Sequence, residues 1–171
     1  TPYFLSKYDH KTLYQGGNYL MKSSDRGYTW RAISPNLALS SMAEKKSVAA
    51  GTVVESPLAK GLLYLGTDHG AFWVSKNDGA SWEEHSIGIA SNYIRSISPS
   101  NHQIERVYMA MTGINYDDLH AYVYVSEDYG KNWKSIAAGL PDEPVNVIKE
   151  DPTNENLLYA GTMRGVFVSL N

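Results

Sequence analysis

The residues 23–30 read SSDRGYTW and combine hydroxyls, a carboxylate, a glycine and an indole within eight positions. A carboxylate beside hydroxyl groups could belong to a metal site or to a site of acid–base chemistry. A functional site usually occurs once in a chain, whereas an architectural element is repeated. The presence of further copies of the pattern would therefore indicate an architectural element instead of a functional site.

Two copies follow, and we call the pattern the box. SKNDGASW spans 75–82 and SEDYGKNW spans 126–133, so the three tryptophans lie 52 and 51 residues apart. The shared positions are Ser23, Asp25, Gly27 and Trp30, then Ser75, Asn77, Gly79 and Trp82, then Ser126, Asp128, Gly130 and Trp133. A fourth copy begins at Ser169. Repetition indicates that the box is architectural.

Asn77 argues against a metal site, since an amide keeps the hydrogen bonds of a turn but carries no charge. We expect the Asp or Asn to accept hydrogen bonds within its own turn and the glycine to take a positive φ. We expect the three tryptophans to open a strand and to pack between neighbouring sheets. No metal ion or other cofactor is predicted.

Other segments repeat with the same period. LYQGG (13–17), LYLGT (63–67), VYMAM (107–111) and LYAGT (158–162) precede the boxes, and a short strand-like run opens each unit. The sequence of each repeat, from the strand-like run through the box, therefore predicts four short antiparallel strands, as in a β-propeller blade. A β-sandwich is the alternative, but it does not need the same turn chemistry once in every four strands. The predicted fold is all-β, a partial propeller over 1–171 with blades at 2–34, 52–86 and 93–136 and an incomplete blade at 145–171, about three and a half blades.

Composition limits the partners. The net charge is −3 with no basic run, which argues against a nucleic-acid partner. No apolar segment approaches 18 residues, so membrane insertion is not expected. The chain has no cysteine, and no signal-peptide pattern is expected within these residues.

The box resembles the Asp-box, or BNR repeat, of sialidases, xyloglucanase-type glycosidases and the sortilin ectodomain. Four phrases are similar to those of long bacterial proteins described as sortilin-like or glycosyl-hydrolase-like BNR-repeat proteins: SSDRGYTWRAISPNL, ESPLAKGLLYLGTDHG, YVYVSEDYGKNW and VNVIKEDPTNENLLYAGTMRGVFVS. The resemblance covers nearly the whole chain. It implies that the boxes are structural and lie away from the ligand face, and that the protein is extracellular or periplasmic.

Propeller topology predicts where a ligand would bind. If the strands of a blade are lettered A to D from the axis outward, the boxes are C–D turns, and the B–C turns lie on the opposite face with the D–A connections. The B–C turns are 16–18, 67–70, a long loop from about 111 to 120, and 162–165. The candidate ligand-binding residues are Asp68, His69, Asn115, Tyr116, Asp117, Asp118, His120 and Arg164.

The long loop is either a solvated insertion or a ligand contact. Asp117 and Asp118 are adjacent carboxylates without the further oxygen ligands that a Ca²⁺ site needs. Asp68 and His69 are also adjacent, and because successive residues rarely face each other, no catalytic dyad is expected there. The connection 34–51 is expected to be a surface loop with one helical turn in 39–46.

The sequence favours a scaffold that binds a peptide, a protein or a carbohydrate. The alternative is part of a glycoside hydrolase of the xyloglucanase or sialidase type, which needs two facing carboxylates or several converging arginines. Glu83 and Glu84 are adjacent on an outer strand, and Arg26 lies inside a box. We therefore assign no catalytic residue, and we expect any acid pair to lie partly outside this chain.

Closed propellers have about four to eight blades. We therefore expect the remainder of a longer chain, or self-association, to complete the ring. The simplest self-association is a two-fold dimer.

Overall fold

The computed structural model describes residues 1–39, 48–86 and 92–170, which form fifteen β-strands in four antiparallel sheets. The first sheet contains β1 (Tyr3–Leu5), β2 (Leu13–Gly16), β3 (Leu20–Ser23) and β4 (Arg31–Ala32). The second contains β5 (Ala50–Glu55), β6 (Leu63–Thr67), β7 (Ala71–Ser75) and β8 (Glu83–Ser86). The third contains β9 (Tyr93–Pro99), β10 (Val107–Gly113), β11 (Asp118–Ser126) and β12 (Lys134–Ser135). The fourth contains β13 (Val145–Glu150), β14 (Leu158–Thr162) and β15 (Val166–Ser169).

The four sheets are blades of a β-propeller, which confirms the predicted fold. Strands pair in chain order within each sheet, and the first strands of neighbouring sheets contact one another, β1 with β5, β5 with β9 and β9 with β13. A hydrophobic core lies between each successive pair of sheets. Blades 1 to 3 have four strands and blade 4 has three in the described part of the chain, a partial ring of about three and a half blades.

The middle strands of a blade contribute to two cores. In blade 2, Phe72 and Val74 pack toward blade 3, whereas Ala71 and Trp73 pack toward blade 1. Every residue of β6 and β7 is buried, because neighbouring blades cover both faces of the sheet. Burial on both faces explains why these strands read as nearly continuous apolar runs instead of alternating ones.

Each box closes its turn by local hydrogen bonds. In blade 2 the Ser75 hydroxyl oxygen accepts a hydrogen bond from the Gly79 amide at 2.9 Å, and the Asn77 side-chain oxygen accepts one from the Ser81 amide at 2.8 Å. The corresponding bonds in blade 3 run from the Gly130 amide to Ser126 and from the Asn132 amide to Asp128, and those in blade 1 run from the Gly27 amide to Ser23 and from the Thr29 amide to Asp25. A carboxylate and an amide are thus interchangeable acceptors here.

The glycine of the box is required for two reasons. Gly130 has a φ of 89°, in the left-handed region. A Cβ at this position would lie 2.3 Å from Cε1 of Phe72 in the preceding blade. The box glycine therefore closes the turn and also lets the turn approach the neighbouring sheet.

The boxes lie against the A–B turns. The Asp78 amide donates to the Gly61 carbonyl and the Tyr129 amide donates to the Glu105 carbonyl, both at 2.8 Å. We call this side, formed by boxes and A–B turns, the lower face. The upper face is formed by the B–C turns and the D–A connections, which bond to each other through the Asp68 amide and the Ala49 carbonyl at 3.1 Å.

The connection from blade 1 to blade 2 is only partly described. A 3-10 helix, Leu37–Leu39, begins it. The helical turn predicted over 39–46 lies outside the described residues beyond Leu39. In the described parts of the chain, no helix has the length and apolar character needed to cross a membrane.

Candidate functional site

The residues that we predicted from the sequence as ligand contacts lie on the upper face. Asp68 and His69 lie in the B–C turn of blade 2, and Arg164 lies in that of blade 4. The remaining five belong to blade 3 and are Asn115, Tyr116, Asp117, Asp118 and His120.

The region 111–120 is not the long loop that the sequence predicted. β10 and β11 continue through it with Gly113 paired to Asp118, and the 3-10 helix Ile114–Tyr116 closes the hairpin. Asp117 follows with a φ of 57°, so the turn is completed in the left-handed region. β10 and β11 have 7 and 9 residues where β6 and β7 have 5 each, which extends this hairpin beyond the one in blade 2.

Asp118 organises the start of β11, next to the turn that closes this hairpin. Its carboxylate accepts a hydrogen bond from the Tyr122 hydroxyl at 2.6 Å and one from the His120 amide at 3.1 Å. The bond from Tyr122 and then those from His120 hold the pKa of Asp118 below its ordinary value. The same bond to Asp118, with burial, raises the pKa of Tyr122 to about 12. Asp118 is therefore an ionised acceptor at neutral pH and is unsuited to act as a general acid.

His120 links this hairpin to the connection that enters blade 4. Its Nδ1 lies 2.7 Å from Asp118 Oδ1, and its Nε2 lies 3.6 Å from Asp142 Oδ2. The hydrogen bond with Asp118, followed by the charge of Asp142, raises the pKa of His120 above its ordinary value. An imidazole held between two carboxylates becomes a cation as the pH falls toward mild acidity.

Glu143 is the most buried carboxylate beside this cluster. Its side chain is 8% exposed, and Oε1 accepts a hydrogen bond from the Thr162 hydroxyl at 2.7 Å. Within the described residues Oε2 accepts no hydrogen bond, although Arg164 Nε lies 3.4 Å away as an ion pair. The Arg164 side chain is 86% exposed, whereas Glu143 Oε2 is buried. Glu143 therefore positions Arg164 on the upper face and is not itself open to a ligand.

Asp68 and His69 face each other, contrary to the expectation for adjacent residues. Asp68 Oδ1 lies 2.8 Å from His69 Nδ1 and also accepts a hydrogen bond from the Ala49 amide at 3.1 Å. In the described chain no hydroxyl is hydrogen-bonded to the other ring nitrogen of His69. The pair therefore lacks the nucleophile that a hydrolytic dyad requires.

Asn92 joins the turn of blade 2 to the cluster of blade 3. This residue is buried, and its side chain is hydrogen-bonded to Tyr122. Its backbone oxygen lies 3.1 Å from the place a Cβ on Gly70 would occupy. Asn92 and Tyr122 thus connect the turn that holds Asp68 and His69 with Asp118 of blade 3. Arg164 pairs with Glu143, the residue after Asp142. Tyr116 stands apart at the hairpin tip, 51% exposed.

The arginines and glutamates that the sequence analysis considered for a glycoside hydrolase lie on different strands and faces of the described chain. The arginines do not converge, since Arg106 pairs with Glu127 at 2.9 Å and Arg26 donates its amide to Lys11 on the lower face, away from Arg164. Glu83, on β8, contacts His85 at 3.3 Å. No cluster of three or more His, Cys, Asp or Glu residues is positioned to hold a metal ion among the described residues.

Besides Glu143, two further buried carboxylates were not predicted from the sequence. Glu55 accepts a hydrogen bond from the Ser6 hydroxyl at 2.6 Å, and Glu150 accepts one from the Ser100 hydroxyl at 2.8 Å. Each glutamate ends the first strand of its blade and reaches the serine that follows the first strand of the preceding blade. Their shared position just before the A–B turn is the sequence signal that could have found them. They join blades and do not face a ligand site.

The amino-acid sequence matches the model of a known protein family. The sequence model of the Sortilin-Vps10 family, described as sortilin, neurotensin receptor 3, matches residues 18–163. No curated protein sequence matches the chain.

Solved structures share the fold. An ancestral GH74 enzyme is 18% identical with a TM-score of 0.74, covering 99% of this chain and 22% of its own. GH74 from Niastella koreensis is 16% identical with a TM-score of 0.73, covering 98% of this chain and 28% of its own. YCF48 bound to D1 peptide is 15% identical with a TM-score of 0.58, covering 93% of this chain and 47% of its own. The chain therefore spans less than half the length of each of these structures.

Proposed function

This chain belongs to the Sortilin-Vps10 family of Asp-box β-propellers, and on that premise we propose that it is a binding scaffold whose upper face takes a peptide or a glycan. The single observation that carries the proposal is the extended β10–β11 hairpin. It presents Tyr116, 51% exposed, close in the chain to the hydrogen-bonding groups of Asp118 and Tyr122.

The chemistry of this surface suits a ligand with many donors. Asp118 is ionised, and Asp142 is exposed. Carboxylates accept hydrogen bonds from backbone amides, lysine side chains or sugar hydroxyls. The ring of Tyr116 adds an apolar surface on which a sugar or a side chain can pack.

The similar structures support a ligand-binding surface without choosing the ligand. One contains YCF48 with a D1 peptide, and others are GH74 enzymes. The glycoside hydrolase remains the alternative function, and it requires carboxylates beyond those described here. A binding role requires no catalytic pair, and for this reason we propose it ahead of the hydrolase.

Peptide and glycan arrays test the proposal. We expect the protein to be retained by members of one array, and Tyr116→Ala to weaken the strongest interaction about 10-fold, since exposed aromatic anchors dominate such contacts. Asp25→Asn, on the lower face, is the matched control and should bind like the parent. Equal binding by Tyr116→Ala would contradict the proposed surface. Release of product from a glycan would favour the hydrolase.

We further propose that another blade covers the face of blade 1 that points away from blade 2. Tyr3 is 81% exposed and Leu5 57% exposed on that face. A second copy of the chain, in a two-fold ring, is the proposed partner. Light scattering tests this, and a stable monomer at micromolar concentration would contradict it. The family also supports the proposed extracellular or periplasmic location.

A further inference from the structure

We propose that the groove at the outer rim between blades 1 and 2 binds a sugar that carries a carboxylate. The groove has a volume of about 580 Å³ and lies between the box of blade 2 and β4 with the residues that follow it in blade 1. Both blades have four strands in the described chain, so complete sheets bound the groove on both sides. Its lining includes Arg31 of blade 1 and Asn77, Asp78, Ser81 and Trp82 of blade 2.

A row of paired residues leads across blade 1 to this groove. The successive partners in the register of β1 to β4 are Phe4, Tyr14, Lys22 and Arg31. Side chains of directly paired residues project from the same face of a sheet. That face points toward blade 2, because Phe4 and Tyr14 belong to the core between the two blades. Arg31 therefore lies at the outer end of the row, where it lines the groove.

Lys22 and Asp78 neutralise each other beside the groove. Lys22, 7% exposed, forms an ion pair with one carboxylate oxygen of Asp78, and the other oxygen accepts a hydrogen bond from the Tyr14 hydroxyl at 3.1 Å. Arg31, in contrast, is exposed, and within the described residues its guanidinium forms no hydrogen bond or ion pair. The lining of the groove therefore retains one positive charge that an anionic ligand can compensate.

The other blades do not repeat this charged arrangement. The residue paired with the tyrosine of the second strand is Lys22 in blade 1, but Val74 in blade 2 and Val125 in blade 3. In the third box Tyr129 takes the place that Asp78 has in the second. A buried ion pair often contributes no more stability than apolar residues of similar size. Closing a junction between blades therefore does not require the charged set, which favours a role for it in binding.

The groups around Arg31 fit an acidic sugar. A guanidinium binds a carboxylate through two parallel N–H bonds. Trp82 is half-buried, so part of its indole is available as an apolar surface against which a sugar ring can pack. Ser81 is exposed and accepts a hydrogen bond from the Asn77 side chain at 2.8 Å, which leaves its hydroxyl to donate to a sugar oxygen. An acidic peptide would supply the carboxylate but not the ring hydroxyls.

Titration with trigalacturonate, a short chain of uronic acids, tests this site. We expect saturable binding measured by calorimetry, and a shift of the Trp82 indole N–H signal in NMR spectra while that of Trp30 stays in place. Maltotriose, which is neutral, should bind at least about 10-fold more weakly, because it cannot form the charged bonds to Arg31. Triglutamate, which has carboxylates but no sugar ring, should also bind at least about 10-fold more weakly, because it lacks the contacts to Trp82 and Ser81.

Protein variants locate the binding in the groove, which Tyr116 of the upper face does not line. Arg31→Gln should weaken the binding of trigalacturonate at least about 10-fold, because it removes the charged donor. Arg26→Gln, at an exposed arginine in the first box, makes the same change of charge and should bind like the parent. Both variants should keep the urea midpoint of the parent, since both sites are exposed. The proposal is overturned by any of three results: no saturable binding, equal binding of maltotriose or triglutamate, or equal binding by Arg31→Gln.

Discussion

The indole nitrogen of Trp82 lies 2.6 Å from the carbonyl oxygen of Ile33, so a box tryptophan of blade 2 closes the outer end of blade 1. Trp30 holds the same place in the first box but donates to Gly27 within its own turn and is 39% exposed. The expectation that all three box tryptophans pack between sheets is therefore met by Trp82 and Trp133 and not by Trp30 in the described chain. Every box contains the tryptophan, but the indole is packed between sheets only where a preceding blade lies beside it.

Trp82→Ala should lower the free energy of unfolding by about 3–5 kcal/mol, because it removes a packed indole and its hydrogen bond. Trp30→Ala should cost about 1 kcal/mol, since this ring already contacts solvent. Urea unfolding followed by circular dichroism measures both. Equal losses for the two variants would show that the indole contributes through its own turn instead of through the preceding blade.

Asp25→Asn should leave the unfolding midpoint at pH 7 unchanged, because Asn77 forms the corresponding turn bonds in the second box. Bonds from the Thr29 hydroxyl, the Thr29 amide and the Ser23 hydroxyl lower the pKa of Asp25 to about 2 from an ordinary value of 3.8. A lowered carboxyl pKa stabilises the fold above the ordinary value and loses this contribution as the pH falls toward 2.

Unfolding midpoints measured between pH 2 and pH 7 therefore check this prediction, with the variant losing less stability in acid than the parent. A variant that is weaker at pH 7 and equally sensitive to acid would show that the negative charge of Asp25, and not its acceptor geometry, supports the turn.

Glu150→Ala should cost on the order of 3 kcal/mol, because removing a buried acceptor leaves its donors unpaired. The donors are the Ser100 hydroxyl, the Tyr108 hydroxyl and the Asn101 amide. Glu155→Ala is the control, since the Glu155 side chain is 50% exposed and its loss should stay within about 0.5 kcal/mol. Similar urea midpoints for the two variants would contradict the role of Glu150 in joining blades 3 and 4.

His120 should make the link between the hairpin and the blade 4 connection depend on pH. Its pKa is raised above 6.5 by Asp118 and then Asp142, so the pairs favour the folded state below pH 6.5 and lose this contribution as the pH rises through the raised pKa. We expect His120→Gln to reduce the difference in stability between pH 6 and pH 9, with His10→Gln, an exposed residue, as the control. An NMR titration of His120 that gives a pKa below 6.5 would contradict the pairing.

The sequence alone determined the blades and their turns, because these features depend on residues close together in the chain. Ser75, Asn77 and Gly79 complete their turn within eight positions, so the spacing of residue types was sufficient to predict the bonds. The repeat of about 50 residues then predicted four successive sheets, and the alternation of turns predicted which of them share a face.

Only the tertiary structure decided which residues meet across blades. Glu150 and Ser100 are 50 positions apart, and their contact depends on how two complete sheets pack. The extension of β10 and β11 through Gly113 and Asp118 depended on register, which local propensity does not reveal. Cross-blade contacts are set by the angle and depth of sheet packing, and those quantities arise from all the side chains of a core together. For this reason the turns could be predicted from single segments, while the links among Asn92, Tyr122 and Asp118 could not.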